Sequence, residues 1–299
     1  MSLTGRQLGL LAALTLIWGA NWPIMKFTLR EVTPLWFRAV TMAGGTLVLS
    51  AYYLRSGVSM RLPREEAARV AWLALPNILG WHFFSIIGLA QLASGRAATL
   101  AFTMPIWTVL IGALLAGIPI TRRAWASAVA GAAAVGLLAI QEIAHLAGHP
   151  VGVLWMQLAA ICWATGTLAM RRTRTTLSNE AVTVWMMLIG SVAFLLVAPA
   201  AEPLPDPARF GIGTWLALAY GVVLNFGAAQ VIWFGMARTL PPAASAFSIM
   251  AVPLIGTLSA TWIVGETPRV TDWIAAACIV VAVASALLPA RRRENVPST

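Results

Sequence analysis

The chain has 299 residues, of which 60% are hydrophobic and only 10% are charged, and its mean hydropathy is +0.82. Soluble domains carry about 25% charged residues, so this composition excludes an ordinary soluble protein. The net charge of +10 comes from basic residues that collect in alternate loops. That distribution predicts a membrane topology and argues against a nucleic-acid partner.

Ten apolar segments of about 20 residues follow one another, each long enough to cross roughly 30 Å of hydrocarbon. They cover residues 8–27, 35–54, 68–92, 97–116, 124–141, 151–170, 181–198, 212–237, 243–264 and 273–288. The segments do not alternate polar and apolar residues as barrel strands do, so they are predicted to be helices. We predict an all-α integral membrane protein of ten transmembrane helices.

The loops at the two ends of these segments differ in charge. One set of alternate loops holds most of the arginines, including the groups at 122–123, 171–174 and 291–293. The opposite loops hold Lys26, Arg30, Arg96, Arg209 and Arg269. The positive-inside rule therefore predicts that both termini are cytoplasmic.

The third segment contains His82, the only histidine deep in any segment, a few residues after the tetrapeptide Trp72–Leu75. The same tetrapeptide recurs at Trp215–Leu218, an offset of 143 residues that places Asn225 opposite His82. Two polar side chains at equivalent depths predict a substrate site on a pseudo-symmetry axis. The alternative is that each only bonds a neighbouring helix and stabilises the bundle.

Other residues also repeat between the halves. Pro105 aligns with Pro253 at an offset of 148, and Trp18 aligns with Trp163 at an offset of 145. We predict two repeats, 1–145 and 146–299, of five helices each, and an odd number of helices inserts the second repeat upside down. Such inverted repeats are typical of secondary transporters. Pro105 and Pro253 are predicted to be paired hinges, or alternatively static kinks.

Three stretches resemble the EamA domain of the drug/metabolite transporter superfamily. They are Leu16–Lys26, Ala97–Pro105 and its second-half equivalent Ser245–Pro253, which is followed by Gly265-Glu266. Within the superfamily, the chain is most similar to bacterial amino-acid exporters of the YddG type. The resemblance implies outward transport across the cell inner membrane. The first half departs from the second in having Gly117-Ile118 where the second has Gly265-Glu266.

Four of the fourteen tryptophans lie near segment centres, beside polar side chains. The predicted substrate-binding residues are Trp18, Asn21, Trp81, His82, Trp107, Trp163 and Asn225. Such aromatic walls would suit aromatic or large neutral side chains and could attract cations. The alternative for each tryptophan is packing or lipid-facing bulk.

The charged residues narrow the substrate. None of the ten acidic residues falls in the middle of a segment, and the basic residues Lys26 and Arg38 lie near segment ends. Phosphorylated substrates would need a central cation, so the sequence favours a zwitterion or a flat organic cation. Proton coupling would have to use His82; we favour uncoupled transport.

The sequence thus predicts an exporter of neutral or aromatic amino acids that works by alternating access. The alternative is an exporter of organic cations, drugs or another metabolite; an intramembrane enzyme and a lipid-linked sugar flippase are more remote. We expect no enzymatic activity, cofactor or metal site, because the nearest cluster, Glu142 with His145 and His149, is interpreted as a solvated turn. The partners are a small-molecule substrate and membrane lipid. We expect a monomer, with a dimer as the alternative.

Overall fold

The computed structural model describes residues 4–116, 122–144, 149–237 and 242–287, and these residues contain helices but no strand. Ten helical segments follow in order, as predicted. They are α1 (Gly5–Thr28), α2 (Pro34–Arg55), α3 (Arg64–Gln91), α4 (Ser94–Ala101 and Met104–Ala116), α5 (Arg122–Ala144), α6 (Pro150–Arg172), α7 (Asn179–Ala201), α8 (Ile212–Ala219, Tyr220–Ala228 and Ala229–Ala237), α9 (Pro242–Ile263) and α10 (Val270–Leu287). Seven of them are long and apolar enough to cross a membrane, and α9 and α10 contain shorter apolar stretches.

Local signals in the sequence set several helix ends. Thr4 forms a capping box with Gln7 at the start of α1, which satisfies backbone donors that the first turn leaves free. Ser178 caps α7 in the simpler way, by accepting a hydrogen bond from a backbone N–H of its first turn. Gly265, which follows α9, has a φ of 75°, a left-handed conformation that glycine adopts without steric cost. These signals let short loops reverse the chain between long helices.

Two helices change to π-helical geometry in their middle. In α3 this covers Leu75–Gly80, and in α8 it covers Tyr220–Ala228. Both stretches begin at or just after the repeated tetrapeptide that ends at Leu75 and Leu218. π-Helical turns widen the backbone and occur frequently at functional sites. The repeated sequence therefore marks a repeated local distortion.

The two prolines predicted to be hinges lie in different backbone surroundings. The helix α4 is interrupted at Phe102 and Thr103, immediately before the turn that contains Pro105. The helix α9 runs without interruption through Pro253. Both prolines lack a backbone donor, but an actual break in the helix accompanies only the first of them.

Helices from the two halves pack against each other throughout the bundle. The main pairs are α1 with α9, α2 with α7, α3 with α6, α4 with α6 and α9, and α5 with α10. The π segment of α3 approaches α6 closely because that helix presents Gly166 to Asn77. A Cβ atom on Gly166 would collide with the Asn77 carboxamide. Small residues at a contact allow such close helix packing in membranes.

The loops form two groups at opposite ends of the bundle. We call the end where α1 finishes and α10 begins the distal end; its described residues are 26–35, 89–96, 142–144, 149–150, 202–214 and 264–272. The opposite end, from which α1 starts, is the proximal end. Hydrogen bonds link the five distal stretches to one another, as described below.

Candidate substrate site

An aromatic cluster lies where α1, α3, α6 and α8 meet. Trp81 follows the π segment of α3, and its ring centroid lies 5.1 Å from that of Trp163 and 6.5 Å from that of Trp22. The neighbouring His82 ring lies 5.3 Å from the ring of Phe226. These five side chains, Trp22, Trp81, His82, Trp163 and Phe226, are called the aromatic cluster below. Residues from both halves of the chain build it.

The aromatic cluster combines a buried base with an open face. Trp22 and Phe226 are buried, whereas Trp163 keeps 36% of its surface exposed. Tilted and edge-to-face ring pairs of this kind each stabilise packing by about 0.5–1.5 kcal/mol beyond burial. An exposed indole beside buried rings offers a flat apolar surface to a substrate side chain and a π face to a cation.

Arg38 occupies the interior next to this cluster, a position that corrects the sequence interpretation. Its backbone lies early in α2, as expected, but the side chain is only 3% exposed. The Nη2 atom donates to the Ser85 hydroxyl at 3.4 Å, and that hydroxyl donates to the carbonyl of His82 at 3.4 Å. The sequence placed Arg38 near a segment end and left it out of the site, whereas its guanidinium is buried close to His82. An arginine can extend several ångströms from its backbone, so a position near a helix end does not fix where its charge lies.

Two nitrogens beside the aromatic cluster lack hydrogen-bond partners among the described residues. They are Nε of Arg38 and Nδ1 of His82, and both are shielded from solvent. Buried polar atoms are nearly always paired, so each unpaired one needs an explanation. Together they supply hydrogen-bonding capacity that the described protein atoms leave unused.

The structure places Trp18 and Asn21 on α1, outside the ring contacts of Trp81. The Trp18 ring lies 5.6 Å from that of Trp233 on α8. The Asn21 amide is buried and contacts the Met25 sulfur at 3.4 Å. Trp22, which sequence reasoning left out of the site, contributes the α1 ring instead; it lies one helical turn beyond Trp18 on the same face, at the level of Trp81.

Trp107 belongs to a second polar group between α4 and α6. Its indole N–H donates to Gln157 Oε1 at 3.0 Å, and the Thr103 hydroxyl donates to the same oxygen at 3.2 Å. Gln157 was not predicted, although an amide inside an apolar segment was an available signal. Asn225 is half-buried, and its neighbour Phe226 makes the contact with His82.

Ion pairs and helix caps close the distal end. The Arg96 guanidinium bridges the carboxylates of Glu142 and Asp272, which are 6% and 8% exposed. Glu142 also accepts the backbone N–H of His149 at 3.0 Å. The predicted solvated turn at Glu142 is therefore wrong: the carboxylate is buried in an ion-pair network. His145 lies outside the described residues, and no trio of metal-ligating side chains occurs among those described.

Carboxylates from loops that are distant in sequence cap three helix starts at the distal end. Glu266 accepts the N–H of Ser94 at 2.7 Å at the start of α4. Glu202 accepts the N–H of Leu35 at 3.0 Å at the start of α2, and Glu31 accepts the N–H of Gly211, next to α8. Helix starts favour negative charge, so each of these contacts joins segments distant in sequence.

Basic side chains bind helix ends in the same region. The Lys26 ammonium donates to the carbonyls of Leu89 and Ala90 at 2.9 Å each, at the end of α3. Arg30 donates to the Val264 carbonyl at 3.0 Å, after α9. Two clefts of about 290 and 360 Å³ open between these contacts. Both clefts lie among the distal loops and have charged groups such as Glu266 in their walls; we place the candidate substrate site at the aromatic cluster instead.

Comparison with known proteins agrees with this architecture. The EamA-like transporter family model matches the chain twice, at residues 5–140 and 150–288. The uncharacterized inner membrane transporter YedA of Escherichia coli is 26% identical over 280 residues, covering 92% of this chain and 88% of its own. The uncharacterized transporter YoaV of Bacillus subtilis is 22% identical over 252 residues, covering 83% and 85%.

Similarity extends to solved structures, among them one crystal structure of a protein. It is 25% identical, superposes with a TM-score of 0.69 and covers 98% of this chain and all of its own. One family model thus matches each group of five helices, over nearly the whole length. The chain therefore belongs to the EamA-like transporter family and is a polytopic membrane transporter.

Proposed function

We propose that this protein exports neutral or aromatic amino acids across the inner membrane by alternating access. The observation that carries the proposal is the aromatic cluster, which both halves of the chain build beside a π segment. Apolar rings around a few polar groups are typical of small-molecule sites. The printed description of YedA as an inner membrane transporter supports the location.

The groups around the cluster favour amino acids over organic cations. Membrane sites for cations usually hold a carboxylate, and the carboxylates involved in described ion pairs lie at the ends of the bundle. The Arg38 guanidinium lies nearby, and its charge would repel a cation. A zwitterion presents a carboxylate to that charge and an apolar side chain to Trp163.

The helix packing supports two inverted repeats. If α1–α5 correspond to α6–α10, then α2 with α7, α4 with α9 and α5 with α10 are self-equivalent pairs, and all three pack together. The contact of α1 with α9 has its counterpart in the contact of α6 with α4. Both π segments lie at equivalent places. This pseudo-symmetry is the usual basis of alternating access.

The distal contacts support a conformation closed on that side. The basic excess of the proximal loops favours a cytoplasmic location for that end, so substrate would enter from the proximal end and leave distally. The distal ion pairs and caps would separate during export. Transport would follow the substrate gradient, since no carboxylate lies beside the aromatic cluster among the residues described; coupling through His82 is the alternative.

Counterflow in proteoliposomes tests this function. Vesicles loaded with unlabelled phenylalanine should accumulate labelled phenylalanine, with and without a pH gradient, and Trp163→Ala should reduce this at least tenfold. Trp262→Ala is the matched control, because Trp262 on α9 is 80% exposed and contributes no ring to the aromatic cluster. Equal activity of both variants would remove the cluster from the substrate path.

Other results of these transport measurements distinguish the alternative functions. Folded protein that exchanges organic cations but no amino acid would transfer the function to drug export. Exchange of neither, with movement of a lipid-linked sugar between leaflets, would favour a flippase. A His82→Gln variant that keeps the rate and the pH profile of the wild type would exclude coupling through that imidazole.

A further inference from the structure

We infer that Arg38 binds the carboxylate of the transported molecule, so that the substrate class is an apolar or aromatic monocarboxylate. A zwitterionic amino acid is one member of that class. This inference rests on the proposed transport site and adds to it a residue and a required functional group. It starts from a basic side chain that the sequence placed near a helix end and the structure places inside.

The Arg38 charge is buried without a described counter-ion. Arg38 is 3% exposed, yet the four ion pairs among the described residues involve Arg69, Arg96 and Arg209 and not Arg38. A buried charge without a counter-ion is strongly unfavourable. A guanidinium retained at such a place is explained by an anion that binds there during the working cycle.

The Arg38 guanidinium makes few hydrogen bonds within the protein. The Arg38 side chain donates through Nη2 to the Ser85 hydroxyl at a long 3.4 Å, while its Nε has no partner. The planar edge of a guanidinium matches the two oxygens of a carboxylate. The unpaired Nδ1 of His82 lies in the same region, since Ser85 connects Arg38 to the His82 backbone. Arg38 thus keeps donors for a carboxylate, with Nε unpaired among the described residues, and the His82 imidazole can add a donor in the tautomer that is protonated at Nδ1.

The aromatic cluster lies where it could hold the rest of the ligand. The His82 ring contacts Phe226 at 5.3 Å and Trp81 at 6.4 Å, so a ligand held by Arg38 would extend its side chain toward the aromatic cluster. Ring faces can attract an ammonium group there, but the carboxylates of the described ion pairs lie at the ends of the bundle. We therefore expect the carboxylate to be required and the ammonium to be optional.

Three aromatic ligands of similar size distinguish these requirements. Phenylalanine has both charged groups, 3-phenylpropionate keeps only the carboxylate, and phenylalaninamide keeps only the ammonium. Binding to the purified full-length protein is measured by tryptophan fluorescence and thermal shift in detergent, and transport by counterflow. We expect the first two to bind and phenylalaninamide to bind at least tenfold more weakly.

Variants of Arg38 test whether this residue causes the preference for ligands that carry a carboxylate. Arg38→Gln should lose at least tenfold in affinity for both carboxylates and no longer discriminate against the amide, whereas Arg38→Lys should retain part of the preference. Arg209→Gln is the control, because Arg209 is a distal arginine with an 86% exposed side chain whose described ion pair is local, with Asp206. Arg38→Gln should keep or raise the melting temperature without ligand, since it removes a buried unpaired charge. A lower melting temperature with unchanged ligand preference would assign a structural role and overturn the inference.

The remaining outcomes separate this inference from the amino-acid function. Binding of 3-phenylpropionate without phenylalanine would keep the Arg38 site and discard amino-acid export. Equal binding of phenylalanine and its amide would keep the amino-acid function and discard the carboxylate site. Binding of none of the three would overturn both. If Arg38→Gln fails to fold, the wild-type preference and Arg38→Lys still decide the question.

Discussion

The two ends of the bundle use their charges differently. At the distal end, carboxylates bind the starts of helices from other parts of the chain, and Arg96 lies between two of them. At the proximal end, Glu66 accepts a hydrogen bond from the Thr176 N–H at a longer distance of 3.4 Å. Distal charges therefore hold helices together, whereas the proximal arginines mainly determine orientation.

The largest effect is expected from Arg96→Ala. The substitution leaves two buried carboxylates, Glu142 and Asp272, facing each other without a cation. Breaking a buried ion pair in this way costs about 3–5 kcal/mol of unfolding free energy. Denaturant unfolding in mixed micelles, followed by tryptophan fluorescence, measures it.

The control for Arg96→Ala is Arg209→Ala, at a second distal arginine with a described ion pair. Arg209 pairs with Asp206 at 3.2 Å, but both side chains are exposed, so Arg209→Ala should cost about 1 kcal/mol or less. Equal losses for the two alanine variants would show that burial does not distinguish these contacts.

An intermediate effect is expected from Glu266→Gln. The change removes the charge that caps α4 through Ser94 N–H at 2.7 Å and the Ser94 hydroxyl at 3.0 Å. Loss of a charged cap should lower the unfolding free energy by about 1–2 kcal/mol, measured in the same unfolding experiment.

Glu202→Gln provides the comparison for Glu266. Glu202 caps α2 through the N–H groups of Leu35 and Trp36, so a similar loss is expected at the distal end's other major cap. A loss below about 0.3 kcal/mol in both variants would contradict the role of carboxylates in joining distal helices.

A smaller effect is expected at the proximal end from Arg69→Ala. Arg69 pairs with Glu66 at 2.9 Å, and although Glu66 is buried, the arginine side chain is 46% exposed and the Thr176 contacts of the carboxylate remain, so water can replace the guanidinium. We expect a loss of about 1 kcal/mol or less in the same assay. A loss as large as that of Arg96→Ala would remove the proposed difference between the ends.

The smallest effect concerns the pH response of Glu31 at the distal end. Hydrogen bonds from the Thr214 hydroxyl and the Gly211 N–H hold the pKa of this exposed carboxyl below its ordinary value. The stabilisation is therefore complete above the ordinary pKa and is lost as pH falls through the lower folded value. Melting curves of wild type and Glu31→Gln between about pH 6 and pH 3 should converge at the acidic limit. Parallel curves at all pH values would contradict this linkage.

Sequence alone was sufficient to predict the ten helices, because the length of apolar segments and the charge of loops depend on the bilayer and not on tertiary packing. It also located Trp81, His82 and Trp163, which the structure brings together. It could not assign Arg38, since a long side chain carries its charge away from its backbone position.

Two observed side-chain contacts could not be read from the sequence, and they share a cause. Aligning the repeats paired His82 with Asn225, but which side chain meets His82 depends on the rotation of α8. Trp18 and Trp22 are four residues apart on α1, yet they contact different rings. The choice between such neighbours depends on tertiary packing, which a single sequence does not record.

The π segment of α3 has a consequence for every periodicity argument along that helix. A π turn accommodates an extra residue, and each residue of an α-helix advances the side-chain direction by about 100°. The face defined by residues 64–74 is therefore out of phase with the face that carries Trp81 and His82. A helical wheel drawn continuously from Arg64 to Gln91 places the second half of α3 on the wrong side. Accessibility scanning along this helix should show two regular patterns with a phase shift between Leu75 and Gly80.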